Sequence, residues 1–198
     1  MRKLAAIGAM LAATSLMSLS YAAPGPTKPI AVATTGPFAS AAEVAMRIEF
    51  QERWAWVDLL GDTYGYLGYH LAEEYSLPHW LVRSLIRVES EGNPSATSHT
   101  ADHGLMQLND VLWPSLAVEL GLHNPDPYDP EQNLRMGMAH LSKLYGKYGD
   151  WTYALTAYNM GEAGLERHIH TSGTAESEYS RKVLQGRSAA PPHSGRGL

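Results

Sequence analysis

The sequence predicts a mainly α fold with little or no β-sheet. Apolar residues recur at helical intervals over long windows, and glycine and proline sit at the edges of those windows. No run of alternating apolar and polar residues is long enough for a sheet, and no internal repeat appears. The firmest window carries Leu134, Met138, Leu141, Tyr145 and Tyr148 at spacings of 4, 3, 4 and 3. Asp129-Pro130-Glu131-Gln132 opens it with an N-cap, a first-turn proline and a polar third residue, and Gly149 closes it.

The other elements follow in order. Met1-Arg2-Lys3 precedes an uncharged run, Leu4 to Leu19, and then Ser20-Tyr21-Ala22-Ala23. A basic start, an apolar stretch of about 15 residues and small residues before the cut describe a secretory signal peptide over residues 1–23, cut after Ala22 or Ala23. Residues 24–40 hold four prolines and two glycines and read as a flexible linker. An N-terminal helical segment over 41–70 follows, within helices expected over Ala41–Leu60 and Thr63–Tyr75. Gly61, Gly65 and Gly68, set among tyrosines, read as a turn between them rather than a phosphate loop.

The next helix starts near Ser76-Leu77-Pro78 and stops at Gly92-Asn93-Pro94. Thr97 to His103 is polar and loop-like, and Asp110 to Leu120 is helical up to Gly121. His123 to Asp129 is a proline-rich loop. Asp150 caps a helix over Trp151–Asn159, a short helix runs to about Ile169, and Tyr179 to Leu184 forms a last turn or two. Residues 186–198 read as a disordered tail.

Charge and composition exclude several function classes. The 198 residues contain no cysteine, which excludes disulfides and a lipid-modified cysteine behind the signal. Export without disulfides suits a bacterial periplasm, with stability resting on the hydrophobic core. Net charge is −5, and removing Arg2 and Lys3 with the signal takes it to −7. With no Lys/Arg-rich run, nucleic acid and anionic membrane surfaces are unsuitable partners. Nine histidines raise the question of a metal. His99 and His103 are four apart but lie in a loop, and His168-Ile169-His170 has no carboxylate pair beside it, so no metal and no cofactor is expected.

One acidic residue stands out by position. Taking about 100° per residue and Leu81 as zero, Leu85 falls near 40°, Val82 near 100° and Ile86 near 140°. Glu89 falls at about 80°, inside that apolar sector. Arg83, Arg87, Ser90 and Glu91 share the opposite, solvated face, where Glu91 reads as an ordinary ion pair one turn after Arg87. A carboxyl group in apolar surroundings resists ionising and can hold a proton near neutral pH, as a general acid must. By wheel geometry alone, an end-of-helix glutamate bonded to the loop is the favoured reading, and only the accompanying motifs reverse it.

Four short elements then occur in order: Glu89-Ser90 with Asn93-Pro94, Ser98, Gly104-Leu105-Met106-Gln107-Leu108-Asn109, and Ala157-Tyr158-Asn159-Met160-Gly161. Together they closely resemble the catalytic domain of the soluble lytic transglycosylases, lysozyme-like enzymes that cut bacterial peptidoglycan. The resemblance covers about residues 71–185. It implies a lysozyme-like transglycosylase fold and a single catalytic acid/base, Glu89. It also implies that Ser98, Gln107, Tyr158 and Asn159 meet the substrate, a peptidoglycan glycan strand. Tyr179 to Leu184 resembles the family's closing helix, with Ser180 where an apolar residue is usual. His140 stands where tyrosine is common, and Asp102 and His103 replace smaller residues. Asp102 is the nearest second carboxylate, in a loop that varies across the family.

Each assignment has a plainer alternative. Met106 reads as core filler. Tyr158 could be a core aromatic, Asn159 a helix C-cap beside Gly161, and Ser98 a turn residue. For the whole chain, the alternatives are a hydrolytic muramidase or chitinase on the same fold, or a non-catalytic peptidoglycan-binding module. Family analogy adds envelope machinery for secretion or conjugation as a partner class, together with the N-terminal helices and Trp54 and Trp56 as a contact surface if exposed.

Overall fold

The computed structural model describes residues 41–188. The expected signal peptide and linker lie outside those residues, as does nearly all of the expected tail. Seven helices and one very short hairpin make up what is described. They are α1 (Ala41–Glu74), α2 (His79–Ser90), β1 (Asp102–His103), β2 (Leu108–Asn109), α3 (Leu112–Glu119), α4 (Pro130–Tyr148), α5 (Trp151–Met160), α6 (Glu162–Ser172) and α7 (Glu178–Gln185). A single 3-10 turn, Gly186–Ser188, follows α7.

The two helices expected before residue 75 are continuous across a kink at Gly61, whose backbone (φ 74°, ψ 174°) is open to glycine but strained for other residues. The segment expected as a turn is helical after Gly61. A Cβ at Gly68 would come within 2.6 Å of the Trp56 ring, so this glycine lets the two halves of α1 pack closely. Trp56 is fully buried and donates from Nε1 to His79 Nδ1 at 3.1 Å, tying α1 to α2. Trp54 is half-buried, so these two residues form no exposed tryptophan pair.

The core is one cluster drawn from all seven helices and the hairpin turn. In α5, Ala154 through Tyr158 are buried in succession, because α4, α6 and α7 all pack against this helix. The expected signals for α4 operate in the structure: Asp129 accepts from the Gln132 backbone N–H at 2.9 Å, and Gly149 ends the helix. Gln132 does not complete a capping box there, because its side chain accepts from Asp126 N–H instead. α6 runs one turn beyond the expected Ile169. Among the described residues no helix is long and apolar enough to cross a membrane.

Candidate functional site

The site grows from the C-terminal end of α2. Leu81, Val82, Leu85 and Ile86 are buried to the last few per cent, and Glu89 continues their stripe into the final turn. Ser90 departs from the expected solvated face: it is buried, and its hydroxyl donates to the Leu105 carbonyl at 2.8 Å. The hairpin turn covers this end of α2, which a helical wheel cannot anticipate. Glu91 takes a left-handed conformation (φ 55°) as the C-cap, is exposed, and sends its backbone N–H to the Arg87 carbonyl. The expected Arg87–Glu91 ion pair is absent among the described residues, because the helix has ended before the second side chain can turn back toward the first.

Burial pushes the Glu89 carboxyl from its ordinary value of 4.5 up to about 7. A hydrogen bond from the Tyr179 hydroxyl to Glu89 Oε1, at 2.5 Å, opposes the rise, and the nearby charge of Asp102 adds to it. Tyr179 is delivered by α7, whose start is fixed by a reciprocal cap. Ser180 N–H donates to Ser177 Oγ at 3.1 Å, and Ser177 N–H donates to Ser180 Oγ at 2.9 Å. Ser180, unexpected at a buried position, is what closes this cap. Thr156 of α5 ties the same turn down, bonding the Ala175 carbonyl and the Ser177 hydroxyl.

The second wall is the turn Gly104–Gln107 between β1 and β2, where Asp102 pairs with Asn109 and His103 with Leu108. Asn133 of α4, fully buried, holds it from behind. Its Oδ1 accepts from Met106 N–H at 2.8 Å, and its Nδ2 donates to the carbonyls of His103 and Pro127. Gly104 must be glycine: its φ is 74°, and a Cβ would lie 2.4 Å from both Asn133 Nδ2 and the Pro127 carbonyl. Met106 is core, packed against Gly137. Gln107 adopts φ 48° and donates its side-chain amide to the carbonyls of Gly104 and Ala96, so it braces the turn.

Tyr158 is buried and donates its hydroxyl to the Met106 carbonyl at 2.8 Å, joining α5 to the same turn. Burial, with the charges of Glu89 and Asp102, holds its phenol well above the usual tyrosine range, so it stays a donor. It is Tyr179, not Tyr158, that bonds the Glu89 carboxyl. Ser98 shares a cluster with Asp102 and Thr100: its hydroxyl donates to Asp102 Oδ2 at 2.6 Å, and Thr100 donates to the same oxygen at 2.5 Å. Asn159 sits exposed near the end of α5 and makes no side-chain hydrogen bond among the described residues. It is not the helix cap either, since α5 continues to Met160 and Gly161 takes that place.

The structure therefore gathers Glu89, Tyr158, Gln107 and Ser98 around the α2 end and the hairpin, and leaves Asn159 at the margin. Sequence reasoning missed Tyr179, Ser90 and Asn133 as site-building residues. A polar side chain beside an apolar stripe was the only available signal for the last two, and Tyr179 carried none beyond its place in the closing helix. His140 packs on the Tyr158 ring with centroids 5.4 Å apart, and burial lowers its pKa to about 4, so it is a neutral packing group at ordinary pH. Among the described residues no group of three or more His, Asp or Glu side chains converges as metal ligands.

Comparison with known proteins adds a family to this geometry. The transglycosylase SLT domain family matches residues 69–180, more than half of the chain. A "Transglycosylase" of Enterobacteria phage PRD1 is 42% identical over 88 residues, covering 44% of this chain and 31% of that protein. A "Membrane-bound lytic murein transglycosylase F" of Desulfosudis oleivorans is 35% identical over 97 residues, covering 46% of this chain and 20% of that protein. The chain thus spans about a third or less of the length of these two relatives. Among solved structures, the 70 kDa soluble lytic transglycosylase of Escherichia coli shares the fold, with a TM-score of 0.51 at 19% identity over 73% of this chain and 28% of its own. A complex of the 70-kDa soluble lytic transglycosylase with bulgecin A gives a TM-score of 0.52 at 21% identity, covering 75% of this chain and 30% of that one. With its match spanning α2, the hairpin and α4 through the start of α7, this chain belongs to the transglycosylase SLT domain family.

Proposed function

We propose that this protein is a peptidoglycan lytic transglycosylase that cleaves the β-1,4 bond between N-acetylmuramic acid and N-acetylglucosamine. The observation that carries the reading is Glu89: a mostly buried carboxyl, its pKa raised to about 7, held by the Tyr179 hydroxyl at the edge of the hairpin wall. A group in that state can give a proton and then take one within a single turnover. The names of the PRD1 and Desulfosudis relatives support the same chemistry.

Glu89 donates its proton to the glycosidic oxygen as the C1–O bond breaks, and becomes a carboxylate. The N-acetyl group at C2 of the muramic acid ring shares the positive charge that develops at C1, so the protein needs no second nucleophilic carboxylate. The Glu89 carboxylate then accepts the C6 hydroxyl proton while that oxygen attacks C1. A 1,6-anhydro end forms, no water is consumed, and the acid is regenerated. Ser98, Gln107, Tyr158 and Asn159 are the proposed substrate-binding residues. In that role Gln107 and Tyr158 act through the turn they brace, and Asn159 through its exposed amide.

The work site we infer is the periplasm, reached through the signal peptide expected over residues 1–23. Envelope machinery for secretion or conjugation is the partner class, by family analogy. The test is digestion of purified sacculi by the protein and by Glu89→Gln, with product masses compared. Anhydro-muropeptides are expected from the first, and turnover lower by about 10² or more from the second. Products one water heavier, with reducing ends, would assign hydrolysis; binding without any release would leave only a wall-binding module.

A further inference from the structure

The corner where α4 turns into α5 gathers four aromatic rings between Tyr145 and Tyr153. Tyr145 and Trp151 are stacked, with centroids 3.8 Å apart and planes 13° from parallel. Tyr148 and Tyr153 are stacked more loosely, at 6.1 Å and 28°. Tyr145 is 36% exposed and Tyr153 40%, while Trp151 and Tyr148 are half-buried. The backbone between them faces open space: a Cβ at Gly146 or Gly149 would meet nothing within 4 Å. Polar groups frame one side. Lys147 Nζ lies 5.3 Å from the Tyr148 ring centroid and donates to Glu162 Oε2, and the Tyr148 hydroxyl donates to the same oxygen at 3.1 Å. Asp150 is occupied in capping α5, accepting from the Thr152 and Tyr153 backbone N–H groups. Glu162 opens α6 three residues after Asn159, the exposed amide at the margin of the catalytic site.

Size and charge limit what this corner can hold. Rings exposed to this extent offer roughly 300 Å² in all, against about 800 Å² per partner in a stable protein interface. With Lys147 paired and Asp150 spent on a helix cap, little net charge is left for nucleic acid or an anionic membrane. A β-linked hexopyranose strand fits both limits. Its ring faces present axial C–H groups, which suit the electron-rich face of an aromatic ring. Its hydroxyl and N-acetyl groups suit an ammonium and a carboxylate at the rim. We propose that the α4–α5 corner is a second glycan-binding site, separate from the catalytic one, where Tyr145 and Tyr153 stack on sugar rings of a peptidoglycan strand and the Lys147–Glu162 pair bonds their polar edges. The identity of the ligand rests on the transglycosylase reading. A second contact with the same polymer keeps further strands near the first, which matters on an insoluble wall.

The experiment uses purified sacculi and two readouts: the rate of fragment release against sacculus concentration, and retention of the Glu89→Gln protein on sacculi. Tyr145→Ala with Tyr153→Ala should raise the apparent KM roughly 10-fold, leave kcat within about two-fold, and lower retention in the Glu89→Gln background to match. Tyr145→Phe with Tyr153→Phe keeps both rings and should behave like wild type in both readouts. Urea unfolding is measured for each variant. If the double Ala variant does not fold, Tyr153→Ala alone, at the more exposed ring, should still raise KM about three-fold. Unchanged KM and retention would overturn the site. So would a loss of kcat at unchanged KM, or Phe variants as impaired as the Ala ones, since either outcome marks a corner that only supports the fold. If Glu89→Gln digests sacculi like wild type, the catalytic reading fails instead, and the KM comparison still decides the corner.

Discussion

Tyr179 donates its hydroxyl to Glu89 across 90 residues of chain, so the closing helix completes the carboxyl that the second helix presents. Tyr158 and Tyr179 then divide the work: the first holds the hairpin turn through the Met106 carbonyl, and the second holds the acid. Burial raises the Tyr179 phenol well above the usual range, with the charges of Glu89 and Tyr158 adding to it, so it remains a donor through both protonation states of the carboxyl.

Tyr179→Phe removes the one hydrogen bond that pulls the Glu89 pKa down. The pKa should rise further, moving the alkaline limb of the activity profile toward higher pH. Turnover at the optimum should fall by roughly 10- to 100-fold, because the carboxyl loses the contact that orients it. The measurement is a pH profile of fragment release. An unmoved limb with wild-type turnover would show that this contact is incidental.

The raised pKa of Glu89 is also a statement about stability. The fold prefers the neutral carboxyl, whereas the unfolded chain ionises near 4.5. That preference is fully present below about pH 4.5 and is lost as pH rises through about 7. Glu89→Gln is neutral at every pH, so it should unfold at the same urea concentration as wild type near pH 4 and at a higher one near pH 8. A shift of this size corresponds to about 3 kcal/mol. Because Glu89 keeps some access to solvent, roughly 2 kcal/mol is expected in practice. Equal urea midpoints at both pH values would contradict the buried-acid description.

Asn133→Ala should cost more than most single substitutions. It strands Met106 N–H and the His103 and Pro127 carbonyls, all partnered by one amide. Each unsatisfied buried group costs about 1–3 kcal/mol, so a loss of at least about 3 kcal/mol in urea unfolding is expected. Activity should drop further than Glu91→Gln, a change at the exposed cap that is expected to leave fragment release nearly intact. A drop of under about 1 kcal/mol would mean that water replaces the amide.

Much of the fold is local and could be read directly. The spacing of Leu134, Met138 and Leu141, the Asp129 cap and the Gly149 stop define α4, and backbone geometry within a few residues decides each of them. The apolar sector that shelters Glu89 was likewise visible, because burial of a helix face follows from periodicity. Three expectations failed because the environment of a residue is not set by periodicity alone. Ser90 was placed on a solvated face, Glu91 in an ion pair with Arg87, and the Gly61–Gly68 stretch in a turn. A distant segment sets the environment of two of them, the hairpin turn over Ser90 and the Trp56 ring against Gly68, while at Glu91 the left-handed helix cap turns the side chain away from Arg87.

The linear chain by itself determined the caps of α4 and the end of α2, that no thiol chemistry is available in these 198 residues, and which carboxyl lies on a greasy face. Those properties depend on residue type and on neighbours three or four positions away. What only tertiary structure decided is what surrounds that carboxyl: the phenol of Tyr179 and the turn that Asn133 pins. Those partners are brought from α7, the hairpin and α4 by packing around α5, and a hydrogen bond between residues so far apart leaves no periodic trace in the sequence.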